Sequence, residues 1–346
     1  MLYIHKTTCI SPQQTFMNVD LNSLMPSSMN KLHAIEPGYE GIPAGQLRRM
    51  GKAVRLGVGA ALPLLKESPD INGIILGTAN GGMEDCIKFL NQIIDYDEGA
   101  LTPTNFVQST TNAIASQIAF MAKNKGYNIT HVHRGLSFEN ALQDAMMLAM
   151  EDPGKTYLLG GVEEISDYNF NIDLLNGSYK KEFTDNNALY ASDSPGTIAG
   201  EGAAMFLVNG QKENALASVN ALSVLNSRDE EEWVNSFSEF IRSNQIDLTK
   251  IDLLISGENG DNRYDKYAFA IEKALPSETG IVRYKHLTGE YPSAAAFALW
   301  LATDISKGLP IPGHMLKRKG ANSRSKNILI YNCYQGLQHS LIHVAI

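Results

Sequence analysis

The chain is short of the features that announce several common classes of protein. Only three of its 346 residues are cysteine, Cys9, Cys86 and Cys333. They lie far apart, which excludes a disulfide framework and a paired-cysteine metal site and leaves three buried thiols in a reducing compartment as the expectation. No apolar run approaches the roughly 20 residues that a bilayer crossing needs. The opening Met1-Leu2-Tyr3-Ile4-His5 is too short, and the residues after it too polar, for a signal peptide. A net charge of −8, from 37 acidic and 29 basic residues, provides no positive field for nucleic acid or an anionic membrane. A cytoplasmic protein is expected. What remains is ordinary globular composition, 44% hydrophobic and 19% charged, in a length that suits two domains or one large pseudo-symmetric unit.

Strand and helix signals alternate along the chain. An opening strand covers residues 1–10, a turn-rich excursion residues 11–44, and the spacing predicts a helix over Ala44–Glu67. That helix starts with Arg48 and Arg49, cations set against its dipole. The apolar run 73–78 reads as a strand buried on both faces. It ends in Asn80-Gly81-Gly82, which lacks the spacing of a phosphate loop and is better read as tight backbone packing. A helix over Asn105–Lys123 follows, then a strand-turn-helix elbow over Asn128–Phe138. The elbow helix, Phe138–Glu151, places Phe138, Ala141, Leu142, Ala145, Met146 and Ala149 at helical spacing. Strands are expected at 156–161 and 200–208, with a polar stretch over 167–194 between them. The remainder repeats the theme, with strands at 218–225, 251–257, 280–285, 327–331 and 339–346 and helices at 230–243, 264–275 and 293–307. Two successive halves, 1–210 and 211–346, imply an α/β fold with largely parallel sheets and internal pseudo-symmetry, joined in one compact unit.

Several segments in register resemble the β-ketoacyl synthases of the thiolase fold. Arg48-Arg49-Met50 is similar to that family's arginine-rich opening helix and Gly77-Thr78-Ala79-Asn80-Gly81-Gly82 to its first glycine turn. Gly160-Gly161-Val162-Glu163, Ala199-Gly200-Glu201-Gly202-Ala203 and Lys285-His286-Leu287-Thr288-Gly289 resemble its GGxE, GEGA and KxxTGH segments. The resemblance implies a thiolase-like fold of two pseudo-symmetric halves in αβαβα layers. It implies an elbow cysteine that accepts an acyl chain from a carrier protein, and two histidines that assist decarboxylative condensation. A thiolate at a helix N-terminus has a lowered pKa, and aligned donors stabilise developing charge.

All three positions depart from that pattern. The elbow cysteine falls on Gly135 and the histidines on Glu258 and Glu290, while the lysine is kept as Lys285. A glutamate is an anion at neutral pH with no proton to donate. Replacement groups are conceivable. Ser137 follows the turn, where it also suits a helix N-cap, and His131 and His133 precede it on one strand face. A pairing of Ser137 with one of these histidines, oriented by Glu258 or Glu290, would give a hydrolase or transferase. Cys333, near the final loop, is a possible substitute thiol. Glu258, Asp261, Glu290 and His286 match no compact metal motif, and no cofactor is expected. The simplest expectation is that each glutamate pairs with Lys285 or Arg283 and fills the site. The family includes cysteine-less chain-length factors that pair with an active ketosynthase. The resemblance therefore implies a non-catalytic heterodimer partner in fatty acid, polyketide or aryl-polyene synthesis, served by acyl carrier protein, with a homodimer as the other pairing. The alternative is a divergent 3-oxoacyl carrier-protein synthase or acyltransferase with rearranged groups.

Overall fold

The computed structural model describes residues 1–322 and 325–346. The first half runs β1 (Leu2–Ile10), β2 (Lys31–Leu32), α1 (Ala44–Leu47), α2 (Lys52–Glu67), β3 (Gly73–Gly77), α3 (Met83–Asp95), α4 (Pro103–Gln108) and α5 (Ala113–Ala122). It continues with β4 (Tyr127–His131), α6 (Ser137–Glu151), β5 (Tyr157–Glu163), α7 (Asp167–Leu175), β6 (Ala199–Gly200) and β7 (Gly202–Asn209). The second half runs β8 (Ala217–Asn226), α8 (Glu230–Ser243), β9 (Leu253–Ser256), α9 (Asp265–Ala274), β10 (Gly280–Arg283) and α10 (Lys285–Thr288). It closes with α11 (Ala295–Lys307), β11 (Leu316–Arg318), β12 (Asn327–Tyr334) and β13 (Gln338–Ala345).

Hydrogen bonding orders the main sheet β11-β10-β9-β12-β13-β8-β1-β7-β5-β3-β4. Both halves use one internal order: β4-β3-β5-β7-β1 is matched by β10-β9-β12-β13-β8, with β11 added at one edge. The halves meet where β1 pairs antiparallel with β8. The sheet is mixed and not largely parallel as expected: only β4-β3-β5 and β10-β9-β12 pair parallel, and the other pairings along it are antiparallel, because β1, β7, β8 and β13 each run against both neighbours and β11 against β10.

Alternation along the strands sets the layers. Ile74 and Leu76 of β3 pack with α2 and α5, whereas Ile75 between them faces a central core. Leu254 and Leu329 pack with Trp233 and Phe237 of α8 and Ile271 of α9, whereas Ile255 and Ile330 face the centre. The central layer holds α6 and α11, giving the five layers α-β-α-β-α of a thiolase-like fold. Helix α11 is buried from Ala295 to Ile305. Its alanines let two sheet halves close on it, and a Cβ at Gly161 of β5 would lie only 2.7 Å from that of Ala296.

Several expected elements are broken. The helix over 44–67 is α1 and α2, parted at Arg48–Gly51. Gly51 is extended, and its N–H donates to Gln108 Oε1 at 2.5 Å. Arg48 thus caps the C-terminal end of a one-turn helix, where a cation is favourable. The helix over 105–123 is α4 and α5, parted at 109–112, and the polar stretch after 167 contains α7. Among the described residues no helix is long and apolar enough to cross a membrane.

Candidate functional site

Strand β4 leads through Val132 and His133 into a tight turn at Arg134–Leu136 and then α6, as the elbow reading requires. The left-handed residue of the turn is Arg134, at φ 48°, and not the glycine. Gly135 is buried and donates its N–H to Gln338 Oε1 at 2.8 Å. Opposite it stands the β12–β13 hairpin. Gln335 and Gly336 have φ of 53° and 61°, and the Leu337 N–H reaches the Tyr334 carbonyl at 3.1 Å. Two left-handed central residues closed by that bond make a type I′ turn. The hairpin lays Tyr334 on Gly135 so closely that a Cβ there would overlap Tyr334 Cβ and Cγ and lie 2.8 Å from Cδ1. The space a nucleophile would need is filled by an aromatic side chain.

The substitute groups stand apart from one another. Ser137 is the first helical residue and not the N-cap. Its hydroxyl donates to the Arg134 carbonyl at 2.7 Å and accepts the His133 N–H at 2.9 Å, which closes the turn and leaves no histidine ring on it. His131 and His133 share a side, as alternation suggested, but both are held by α6. His131 Nε2 meets Asp144 Oδ2 at 3.0 Å, and His133 Nδ1 meets the Asn140 amide at 3.1 Å. Cys333 is buried, and burial pushes its thiol up to about 12, so it holds its proton at neutral pH. With Glu258 it borders a cavity of only about 10 Å³, the size of one water.

The glutamates are both neutralised, by different cations. Lys285 Nζ donates to Glu290 Oε1 at 2.6 Å, and Asn259 Nδ2 to Oε2 at 2.8 Å; lysine and glutamate are 0% and 4% exposed. Removing one member of so buried a pair costs about 3–5 kcal/mol. Glu258 pairs with neither Lys285 nor Arg283. Strand β11 pairs with β10 at the sheet edge and brings in Lys317, whose Nζ lies 2.7 Å from Glu258 and 2.8 Å from Glu272. Arg283 instead lays its guanidinium over the Tyr190 ring, 3.8 Å from the centroid.

His286 faces away from both glutamates. His314 Nε2 must donate to the Leu21 carbonyl at 2.8 Å, so its Nδ1 accepts from His286 Nε2–H at 2.9 Å, and His286 Nδ1 accepts from Tyr190 at 3.2 Å. Burial, then the neighbouring His314 and Arg283, depress His286 to about 3 and keep it neutral. Among the described residues no three His, Cys, Asp or Glu side chains gather as a metal site.

The glycine turn after β3 is occupied from within. Glu163, at the end of β5, accepts the amides of Ala79 and Asn80 and the Thr78 hydroxyl, which takes the donors a phosphate would use. Its carboxyl is pushed up to about 8 by burial. Glu201 accepts the amides of Ala34 and Ile165 and pairs with Lys52 at 2.5 Å. Glu139, in the first turn of α6, accepts from Ser340 at 2.6 Å and is raised by burial to about 7.

Sequence reasoning missed Tyr334, Gln338, Lys317, Asn259, His314 and Glu139. Only Tyr334 carried a signal, in the Tyr-Gln-Gly turn beside Cys333; the others are joined to the site by pairings distant in sequence. Among the described residues the elbow brings together the Gly135 backbone, the Tyr334 ring and a Ser137 hydroxyl bonded to the Arg134 carbonyl and the His133 amide.

Layers, repeated strand order and elbow together define a thiolase-like ketosynthase fold. Residues 26–171 match the family model described as Beta-ketoacyl synthase, N-terminal domain. No curated protein matches the chain at a significant level. Among solved structures, a beta-ketoacyl synthase from Burkholderia phymatum STM815 superposes with a TM-score of 0.79 at 14% identity, over 99% of this chain and 98% of the other. The ishigamide ketosynthase/chain length factor gives 0.77 at 15% identity, over 99% and 98%. The ketosynthase ApeO in complex with its chain length factor ApeC, from Xenorhabdus doucetiae, gives 0.77 at 13%, over 100% and 98%. At such identities the likeness is one of fold.

Proposed function

We propose that this chain is a non-catalytic, chain-length-factor-like subunit that pairs with an active ketosynthase in polyketide, aryl-polyene or fatty acid synthesis. The observation that carries the reading is the filled elbow: Gly135 offers no nucleophile and Tyr334 occupies its place. The sealed Lys285–Glu290 pair points the same way, because it leaves no donor for an enolate. A binding surface is available for the partner. Strand β4 ends the sheet with its outer edge unpaired among the described residues, and Phe120, Tyr127, Val132, Met147 and Met150 stand exposed on and beside it. Two of the similar folds are described with a ketosynthase and a chain length factor together, which supports the same role here. The partner supplies the cysteine and takes acyl groups from the carrier protein; this chain borders the product tunnel.

Co-expression with the ketosynthase encoded nearest to it tests the reading. A one-to-one complex by native mass spectrometry, with condensation that needs the partner's cysteine, is the expected result. A lone chain that assembles with itself in preference to any ketosynthase and condenses acyl groups would overturn it.

A further inference from the structure

Apart from the elbow, a cavity of about 460 Å³ lies between α2 and the loops at 16–17 and 37–42, and the subunit role does not use it. Phe16, Ile42, Leu62 and Pro63 give it an apolar wall. The loop over it is fixed to the helix. Arg55 of α2 holds Glu36 through two bonds, Nε to Oε2 at 2.8 Å and Nη2 to Oε1 at 2.9 Å. The Tyr39 hydroxyl donates to the same carboxylate. The Tyr39 ring lies so close to α2 that a Cβ on Gly59 would stand 2.7 Å from its Cε1. The cavity is therefore built into the fold, and a ligand does not have to order it.

Its polar groups carry both signs of charge. Lys66 and Glu40 line it, and among the described residues they form no ion pair with each other or with another side chain; the third charged group, Glu67, is taken by Lys6 at 2.7 Å. Lys66 Nζ lies 3.6 Å from the place a Cβ on Gly41 would take. It thus stands beside the loop amides of Gly38, Tyr39 and Glu40, which have no backbone partner among the described residues. Successive free amides around a left-handed residue, here Tyr39 at φ 52°, receive anions. Pro63 supplies no N–H to the Gly59 carbonyl four residues before it, so α2 leaves an acceptor without its helical donor where both residues line the cavity.

We propose that this cavity binds a free amino acid with a large apolar side chain, as its zwitterion and without covalent attachment. The carboxylate takes Lys66 and the loop amides, the ammonium takes Glu40 and the Gly59 carbonyl, and the side chain packs on the apolar wall. An apolar carboxylate alone would leave Glu40 without a cation, and an apolar amine would leave Lys66 without an anion, so the two charges together select the zwitterion. The inference goes beyond the subunit role and stands without it.

Calorimetric titration of the purified chain, or of its complex, tests it with L-phenylalanine and L-leucine, against 3-phenylpropanoate, which lacks the ammonium, and 2-phenylethylamine, which lacks the carboxylate. Saturable binding of an amino acid is expected, at least about tenfold tighter than either truncated probe. Lys66 and Glu40 are exposed, so Lys66→Met and Glu40→Gln should keep the unfolding midpoint and each weaken amino-acid binding about tenfold. Lys66→Met should leave 2-phenylethylamine unaffected, and Glu40→Gln should leave 3-phenylpropanoate unaffected. No saturable binding of either amino acid, equal affinity for the truncated probes, or variants that bind like the parent would each overturn the proposal. None of these results bears on pairing, which is read by mass.

Discussion

At Gly135 a missing side chain and an intruding one are parts of the same structural fact. Tyr334 stands where a Cβ would go, so the position is closed to cysteine by packing as well as by composition. Gly135→Cys is therefore expected to lower stability by about 1–3 kcal/mol in denaturant unfolding, as overpacking does, and to show no condensation. A stable variant that turned over would mean that Tyr334 does not close the site. Glu139 supplies a second residue-scale test. Its folded pKa, about 7, is above the ordinary 4.5, so the unfolded chain gives up this proton first. The stability from neutral Glu139 is full below about pH 4.5 and is lost as pH rises through about 7. Glu163, raised to about 8, acts with the same sign. Glu139→Gln should flatten part of the fall in unfolding midpoint between pH 5 and 8; a slope identical to the parent's would contradict the assignment.

At the scale of elements, strong stripes were legible. Helix α8 spans Glu230–Ser243 as its apolar spacing predicts, and α6 begins one residue before its expected start. Breaks were not legible, because Gly51 and residues 109–112 interrupt helices that local periodicity would continue. Helix α7 was missed although Tyr168, Ile172 and Leu175 are helically spaced, since that stripe faces outward and is bounded by polar residues. For the candidate site, motif spacing pointed to Gly135, Glu258 and Glu290 as the expected triad positions, whereas the pairing of Glu258 with Lys317 comes only through the β10–β11 pairing. The open edge of β4 carries the element-scale prediction. Val132 is exposed beside it, so Val132→Asp should leave the unfolding midpoint nearly unchanged and weaken ketosynthase pairing at least about tenfold in a titration of the complex. Undiminished pairing would place the interface elsewhere.

At the scale of the molecule, α6 and α11 lie in one central core that draws Ile75 and Phe206 from the first half and Ile255 and Ile330 from the second. We take residues 1–210 and 211–346 as halves of a single folding unit. A chain ending at residue 210 should then expose that core and show no cooperative unfolding transition by calorimetry, whereas a sharp transition would make the halves independent domains. The ketosynthase-like scaffold and the filled elbow carry one central proposal: this chain keeps the fold and does not itself perform condensation. Mass spectrometry of carrier protein, after incubation of the purified lone chain with acyl- and malonyl-loaded carrier protein, tests that most directly. The account predicts the loaded species unchanged, with no acylated form of this chain; a β-ketoacyl carrier protein extended by two carbons would contradict it.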